Sequence, residues 1–267
     1  MSKTVAIAGL GAIGLPVARA LDAGVEGLRL IAVCCRDPVK GRARLAGFKT
    51  IPALVEIANL PAADIVVEAA PAAIFERIAL PTLEAGRILV VSTAGALLPR
   101  LHLVRLAART GARILVPTGA LLGLDAVRAA AEGPISSVTI ESRKPPLALA
   151  GAPYLQKRGI DVMELTEATL LFEGNALEAA AGFPANVNVA AALALAGVGA
   201  VRTRVQVWVD PTATRNTHVI QVDAAAARFT MSIENVPSME NPRTGQLTPL
   251  SVLACLRGLV STLKVGS

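Results

Sequence analysis

The sequence predicts an α/β protein of two domains. The first is built on a parallel sheet, and the second is an α+β domain whose sheet is mostly antiparallel. A glycine-rich loop follows an apolar run at the N-terminus, and short apolar runs then alternate with helical segments up to residue 116. Beyond Pro117 the pattern changes to consecutive helices followed by three β-type runs. Alternation is typical of right-handed βαβ units, whereas segregated helices and strands are typical of α+β folds.

The N-terminal loop predicts a dinucleotide site. The apolar run 5–8 leads into Gly9, Gly11 and Gly14, and an amphipathic segment, residues 15–23, follows. In a Rossmann-type domain these glycines permit a tight turn, close approach of a pyrophosphate, and packing of the helix on the strand. The N–H groups at the helix N-terminus then face the phosphates. The predicted cofactor contacts in this loop are Gly9, Gly11, Ala12, Ile13 and Gly14. The alternative is a glycine-rich turn in another kind of α/β protein.

The remaining elements of the first domain continue the alternation. We expect strands at residues 28–35, 64–69, 87–92 and 113–116, and helices at residues 52–59, 71–85 and 98–110. Ligands of open parallel sheets bind outside the carboxyl ends of the strands. Ala70, Pro71 and Thr93 are therefore predicted to lie beside the nicotinamide half of a cofactor, with plain turn chemistry as the alternative. Glu68 is an unusual residue for a buried strand.

The tip of the second strand bears on the choice of cofactor. A carboxylate at this tip commonly holds the adenosine ribose, but positions 34 and 35 are both cysteine. Arg36 could instead face a 2′-phosphate, while Asp37 could still reach a ribose hydroxyl. The alternative for Arg36 is a solvated charge at a strand end. The predicted cofactor is therefore NAD or NADP.

The second domain is predicted from a different pattern. We expect strands at residues 135–141, 166–172, 204–209, 218–223 and 228–234, and helices at residues 175–181, 185–196 and 247–263. The last helix is expected to return to the first domain. We thus assign residues 1–118, joined by a C-terminal helix within 244–267, to dinucleotide binding. Residues 119–243 are assigned to substrate binding, catalysis and oligomerisation.

The composition narrows the class of partner. The chain has 267 residues, is 53% hydrophobic, is only 3% aromatic and carries a net charge of +6. Its arginines are scattered and stacking aromatics are few, which argues against nucleic acid. We expect no membrane association, because neither a transmembrane run nor a signal peptide is apparent. The cysteines Cys34, Cys35 and Cys255 form no disulfide framework, so a cytoplasmic setting is expected.

The chain contains two histidines. His102 lies in a helical run with no reactive neighbour and is interpreted as structural. His218 follows a polar turn at the start of a predicted strand. An unperturbed imidazole titrates near pH ~6.5 and can exchange a proton at working pH, so His218 is the candidate general acid/base. A hydrogen-bonded sheet histidine is the alternative. No metal-ligand spacing and no serine nucleophile elbow occur, so we expect no metal site.

Several segments spread over nearly the whole chain carry a resemblance. They are residues 9–14, 119–126, 142–146, 171–176, 183–191, 210–211, 215–218 and 240–244. The segments F-E-G-N-A at 172–176 and F-P-A-N-V-N-V-A at 183–190 are specific, whereas the glycine loop is not. On these segments the chain resembles the L-aspartate dehydrogenase family.

The resemblance implies NAD- or NADP-dependent deamination of L-aspartate to iminoaspartate, or to oxaloacetate and ammonia, or the reverse amination. It also implies a supply of product to NAD biosynthesis, and we expect a homodimer. His218 matches the catalytic histidine, and Asn188 is implied at the junction of cofactor and substrate. The predicted substrate contacts are Asn186, Asn188, His218 and Thr244, and Ala120 and Asn188 join the cofactor contacts. Leu122 stands where the family often has glycine, which implies a tighter pocket or a different substrate.

Two other functions stay open. The chain could reduce another amino or hydroxy dicarboxylate, or it could be a non-catalytic NAD(P)-sensing module. His218 beside a polar turn argues against the sensor. Lys144, Arg215 and Arg243 are possible partners for substrate carboxylates, although each taken singly is more typical of a solvated charge.

Overall fold

The computed structural model describes residues 2–238 and 244–266. The chain forms two units. One contains the residues up to Gly119 together with Thr248–Val265, and the other contains Ala120–Leu247. Each unit has its own sheet.

Six parallel strands form the sheet of the first unit. They are β1 Lys3–Ala8, β2 Leu28–Cys34, β3 Ala53–Leu54, β4 Ile65–Glu68, β5 Ile88–Val91 and β6 Arg113–Leu115. The order is β3-β2-β1-β4-β5-β6 and every pair is parallel. The helices are α1 Gly14–Ala23, α2 Pro38–Arg44, α3 Phe75–Glu84, α4 Ala94–Leu97 and α5 His102–Thr110. The strand order reverses at β1, and the crevice at such a switch point is where ligands bind in these folds.

Five strands form the sheet of the second unit. They are β7 Ile135–Lys144, β8 Thr169–Asn175, β9 Thr203–Val209, β10 Asn216–Ala224 and β11 Arg228–Asn235. The order is β11-β10-β7-β9-β8, and only the β7–β9 pair is parallel. The helices are α6 Leu124–Ala131, α7 Pro146–Leu149, α8 Pro153–Arg158, α9 Ala176–Gly182 and α10 Asn188–Ala196. A parallel first sheet and a mostly antiparallel second sheet confirm the predicted fold class.

The last helix, α11 Leu247–Gly258, contributes to the core of the first unit. Its side chains Val252 and Leu256 are fully buried in one cluster with Val5, Ile7 and Val33. The predicted helix extends to residue 263, but the α-helix ends at Gly258. Beyond that point the bonds are mixed: Leu259 N bonds to Leu256 O (3.1 Å), three residues back, whereas Ser261 N bonds to Arg257 O (2.9 Å), four residues back.

The segment 52–59, predicted as helical, is not an α-helix. Its first part is β3, and the N–H of Val55 donates to the carbonyl of Val33 over 2.9 Å. A 3-10 helix follows over Ile57–Ala62 and contains Pro61. Proline has no N–H for an α-helical bond, and pairing with the neighbouring strand outweighs the local helical pattern.

The other predicted elements differ from the observed ones mainly at their ends. β8 lies three residues later than the predicted strand 166–172, because Asn175 both closes it and caps α9. α10 begins at Asn188, since a turn bond from Asn186 N to Phe183 O (2.8 Å) precedes it. Five helices were not predicted: α2, α4, α6, α7 and α8. The start signal of α2 is nevertheless present in the sequence, since the Asp37 carboxylate accepts from the N–H groups of Val39 and Lys40.

Candidate active site

The glycine loop has the geometry that a bound dinucleotide requires. Gly9 has a φ of +100°, and a Cβ there would overlap the carbonyl of Ala69. A Cβ at Gly14 would overlap the carbonyl of Gly9, so α1 approaches β1 closely only because residue 14 is glycine. A Cβ at Gly11 would meet nothing within 4 Å, which leaves open space for a pyrophosphate. Ile13, the N-cap residue, offers no side-chain bond to the amides of the first turn of α1.

The tip of β2 carries exposed basic groups. Arg36 follows the strand and is exposed. The Oδ1 atom of Asp37 accepts from the N–H groups of Val39 and Lys40 at 3.0 and 3.1 Å. Asp37 therefore serves as a helix cap, which competes with the ribose contact considered for it. Arg44, at the end of α2, donates from Nη1 to the carbonyl of Leu10 over 2.5 Å and thereby holds the glycine loop.

The other predicted contacts of the first unit lie at the carboxyl ends of β4 and β5. Ala70 is buried, Pro71 is exposed, and Thr93 is the N-cap residue of α4. Glu68, the last residue of β4, is fully buried and accepts hydrogen bonds from Ala70 and Thr93. Burial raises the pKa of Glu68 to about 7, against the effect of these hydrogen bonds.

In the second unit, three polar side chains lie on one buried face of the sheet. His218 is the third residue of β10 and pairs with Ser142 of β7, so the two side chains are neighbours across the strands. Lys144 lies two residues further along β7 and therefore on the same face. Ser142, Lys144 and His218 are only 5%, 4% and 2% exposed.

The imidazole of His218 is oriented by Ser142. The hydroxyl oxygen of Ser142 lies 2.9 Å from Nδ1 of His218, and when Nδ1 carries the proton, Nε2 is left free to accept one. Burial, followed by the positive charge of Lys144, lowers the pKa of His218 to about 3. This pKa lies well below the value near 6.5 of an unperturbed imidazole, because the charged form is desolvated in the sheet interior. The histidine is neutral at physiological pH.

Lys144 is not the solvated charge that it resembles in the sequence. Its Nζ donates to Oδ1 of Asn186 over 3.1 Å and to the carbonyl of Asn186 over 3.5 Å. Burial lowers the pKa of Lys144 to about 8. The lysine is a buried cation that donates to two neutral oxygens of Asn186, an arrangement suited to an incoming anion.

The other predicted residues of the second unit lie at several places. Asn188 is the half-buried first residue of α10. The carbonyl of Ala120 accepts from Nδ2 of Asn235 over 2.8 Å. Thr244 is half-buried, and its carbonyl accepts from the N–H of Ser238 over 2.7 Å. The structure thus joins His218 directly to Ser142, and Asn186 directly to Lys144.

The remaining charged candidates behave differently. Arg215 is half-exposed and lies 3.7 Å from the Glu234 carboxylate, as expected for a solvated charge. Arg243, and residues 240–243 of the segment that carried the resemblance, lie outside the described residues. His102 is half-exposed on α5, with Nε2 3.7 Å from Glu76. Across residues 2–238 and 244–266, no group of three or more His, Cys, Asp or Glu side chains could hold a metal ion.

Sequence reasoning missed Ser142 as a site residue. The signal was the alternation along β7, where Val138, Ile140, Ser142 and Lys144 form the buried side of the strand. Two polar residues that continue an apolar alternation point to a buried polar cluster rather than to solvent.

The chain matches known protein families over most of its length. Residues 125–259 match the family described as aspartate dehydrogenase, C-terminal, and residues 9–117 match the one described as homoserine dehydrogenase, NAD binding domain. An L-aspartate dehydrogenase of Bradyrhizobium diazoefficiens is 55% identical, over 98% of this chain and 94% of the relative. The chain belongs to the L-aspartate dehydrogenase family. The resemblance seen in the sequence is thereby confirmed.

Two further members of the L-aspartate dehydrogenase family extend the comparison. L-aspartate dehydrogenase 3 of Bordetella bronchiseptica is 52% identical over 98% of this chain and 97% of the relative. The crystal structure of aspartate dehydrogenase from Thermotoga maritima has a TM-score of 0.76 at 25% identity and covers 100% of both chains. The first unit is an NAD-binding domain of a dehydrogenase, and its cofactor is NAD or NADP. Among the described residues, no helix is both long and apolar enough to cross a membrane.

Proposed function

We propose that the chain catalyses the NAD- or NADP-dependent oxidative deamination of L-aspartate to iminoaspartate, which hydrolyses to oxaloacetate and ammonia, or the reverse reductive amination. Membership of the family supports the substrate. The observation that carries the chemistry is the buried group of His218, Ser142 and Lys144, with the half-buried Asn186 bonded to Lys144, which combines a neutral base with a cation.

The cofactor is held by residues of the first unit. The glycine loop, with Gly9, Gly11, Ala12, Ile13 and Gly14, would bind the pyrophosphate through backbone N–H groups. Arg36 would bind a 2′-phosphate, and Ala70, Pro71 and Thr93 would border the nicotinamide end. When bound, NAD or NADP supplies the acceptor for the hydride that leaves the substrate Cα.

Lys144 and His218 divide the work on the substrate. Aspartate has two carboxylates, and we assign one of them to the Lys144 ammonium, which Asn186 holds in place. The neutral His218 imidazole takes the proton that the substrate ammonium must lose before an imine can form. A carboxylate next to Lys144 offsets its charge, which raises the pKa of His218 towards the working range. We assign Asn188 to the junction of cofactor and substrate, together with Ala120, and Thr244 to the substrate.

Substrate turnover with both cofactors tests this function. We expect L-aspartate to produce NADH or NADPH absorbance, and oxaloacetate with ammonia to consume it. L-Malate, L-glutamate and D-aspartate serve as comparison substrates. Higher turnover with one of them would replace aspartate as substrate and would give Leu122 a role in that choice. NADH binding without any substrate-dependent absorbance change would favour the alternative function, a non-catalytic NAD(P)-sensing module.

We further propose that the product iminoaspartate feeds NAD biosynthesis, that the protein acts in the cytoplasm, and that it is a homodimer. The family resemblance supports the first, and the free thiols Cys34, Cys35 and Cys255 support a reducing compartment. Sedimentation equilibrium would test the dimer, and a monomer at micromolar concentration would overturn it.

A further inference from the structure

Glu68 joins the carboxyl ends of two neighbouring strands. Its Oε1 accepts from the N–H of Ala70 over 3.1 Å, just beyond β4. Its Oε2 accepts from the N–H of Thr93 over 3.1 Å and from the Thr93 hydroxyl over 2.7 Å, just beyond β5. The two loops that follow these strands are thus held by a single carboxylate.

This carboxylate is costly for the fold. Glu68 is 0% exposed, and its hydrogen-bond donors in Ala70 and Thr93 are neutral groups. A buried carboxylate that lacks a cation is retained only against a substantial desolvation penalty. A hydrophobic residue would suit an interior strand better, so stability alone does not account for glutamate here.

The same loop also contacts the glycine loop. The N–H of Ala69 donates to the carbonyl of Ala8 over 2.9 Å, and the Ala69 carbonyl packs directly on Gly9. The Glu68 carboxylate therefore fixes the turn at Ala70 and the start of α4 at Thr93, while the contact with Gly9 is made by the Ala69 backbone. All of these groups belong to the first unit.

We propose that Glu68 is a positioning residue for the nicotinamide end of the cofactor. It holds the turn at residues 69–71 and Thr93 in the arrangement that receives the nicotinamide riboside, while the adenosine and pyrophosphate depend on β2 and the glycine loop. This assignment rests on the proposed dinucleotide-dependent function.

The opposite end of β4 supplies a matched control. Oδ2 of Asp64, the residue before β4, accepts from the N–H and the hydroxyl of Thr4 over 2.8 and 2.7 Å. This pair is the same carboxylate–threonine link that Glu68 makes with Thr93, but it lies at the amino edge of the sheet. Removal of either carboxylate would lower the stability of the sheet. Only removal of the Glu68 carboxylate should selectively weaken binding of ligands that contain the nicotinamide.

The test compares NADH with ADP-ribose, which lacks the nicotinamide, as ligands of the full-length protein. Affinities are measured by calorimetry for wild type, Glu68→Leu, Glu68→Gln and Asp64→Asn. We expect Glu68→Leu to weaken NADH binding by about tenfold or more, because Ala70 and Thr93 lose the buried acceptor that positions them, and ADP-ribose binding by less than about threefold. Glu68→Gln retains an accepting oxygen on one side only, so its loss of NADH affinity should lie between those of wild type and Glu68→Leu. Asp64→Asn should leave the ratio of the two affinities as in wild type.

Each outcome decides between explanations. Equal losses of NADH and ADP-ribose affinity in Glu68→Leu, or no loss of either, would overturn the positioning role. An equal change of the ratio in Asp64→Asn would assign the effect to the sheet as a whole. If Glu68→Leu does not fold, an unchanged ratio in Glu68→Gln overturns the proposal. Failure of wild type to bind NADH would instead contradict the proposed function.

Discussion

At the scale of single residues, burial sets the protonation of the two reactive groups in the second unit. His218 is held neutral, and Lys144 keeps its proton only up to a pKa of about 8. The sequence identified His218 at the start of a strand and Lys144 as a possible partner of a substrate carboxylate, but it could not reveal their burial. That burial depends on the pairing of β10 with β7, which brings residues 76 positions apart into contact.

Removal of His218 should abolish most turnover. We expect His218→Ala to lower kcat by about 10²–10⁴-fold, the typical contribution of a positioned general acid/base. The dissociation constant for NADH should change little, because the glycine loop belongs to the first unit. His102→Ala, at a half-exposed position on α5, is the control and should keep wild-type kcat. Retention of most aspartate-dependent turnover in His218→Ala would move the acid/base role to Lys144.

Lys144 should impose an alkaline limit on aspartate use. A lysine is charged below its pKa, so kcat/KM for L-aspartate should fall as pH rises through about 8, where burial places the pKa of Lys144. Lys144→Arg keeps its charge to much higher pH and should shift this limb upward, whatever its effect on the maximal rate. An identical alkaline limb in both proteins would show that another group, such as the substrate ammonium, sets it.

Arg36 should control the use of NADP. Because it is exposed at the tip of β2, its guanidinium can pair with a 2′-phosphate. We expect Arg36→Ala to lower the affinity for NADP by roughly 10- to 100-fold, as for loss of a charged hydrogen bond, while the affinity for NAD stays close to that of wild type. Binding titrations with both cofactors measure this. Equal losses of NAD and NADP affinity, or no NADP binding by wild type, would show that Arg36 does not recognise a 2′-phosphate.

At the scale of elements, the glycines of the first loop have separable roles. A Cβ at Gly11 meets open space, whereas one at Gly14 would overlap the Gly9 carbonyl. Gly11→Val should therefore fold normally and lose NADH binding, while Gly14→Ala should lower the melting temperature by at least ~5 °C. Thermal denaturation and NADH fluorescence titration distinguish the two effects. Unchanged NADH binding by folded Gly11→Val would argue against a pyrophosphate at this loop.

The elements that the sequence predicted well are those whose signal is local. Most strands of both sheets are short apolar or alternating runs. The start of α9 is indicated by Asn175 and Glu178, which form a capping box. The errors arose where pairing overrides local pattern. Residues 53–54 form β3 because the tip of β2 offers an open edge, which no helical periodicity in the segment could indicate. The alternation along β7 indicated that Ser142 is buried, but its partner His218 lies on another strand and could not be identified from local pattern.

At the scale of the whole molecule, His218 should make the protein sensitive to acid. The pKa of His218 in the folded protein, about 3, lies below the ordinary value of 6.5. Between these two pH values His218 is therefore protonated in the unfolded chain but not in the folded chain. The free energy of unfolding contributed by this residue is thus lost as pH falls from 6.5 towards 3. Glu68, with a folded pKa of about 7 against an ordinary 4.5, acts in the opposite sense between those values.

A comparison of wild type with His218→Gln isolates this contribution. The difference in melting temperature between the two should be constant above about pH 7.5 and should shift in favour of the variant as pH is lowered to 5. Thermal denaturation followed by circular dichroism at several pH values measures it. A difference that does not vary with pH would mean that His218 titrates normally in the folded state.

His218 lies in an interior strand, with Ser142 of β7 opposite on one side and Ile233 of β11 opposite on the other. Backbone amides enclosed in this way exchange with solvent only when the sheet opens as a whole. The proposed catalytic base therefore cannot leave its position through a local opening of low free energy. Loss of activity on heating should then coincide with cooperative melting of the second sheet rather than precede it, and the imidazole should remain in place until the strand itself is released.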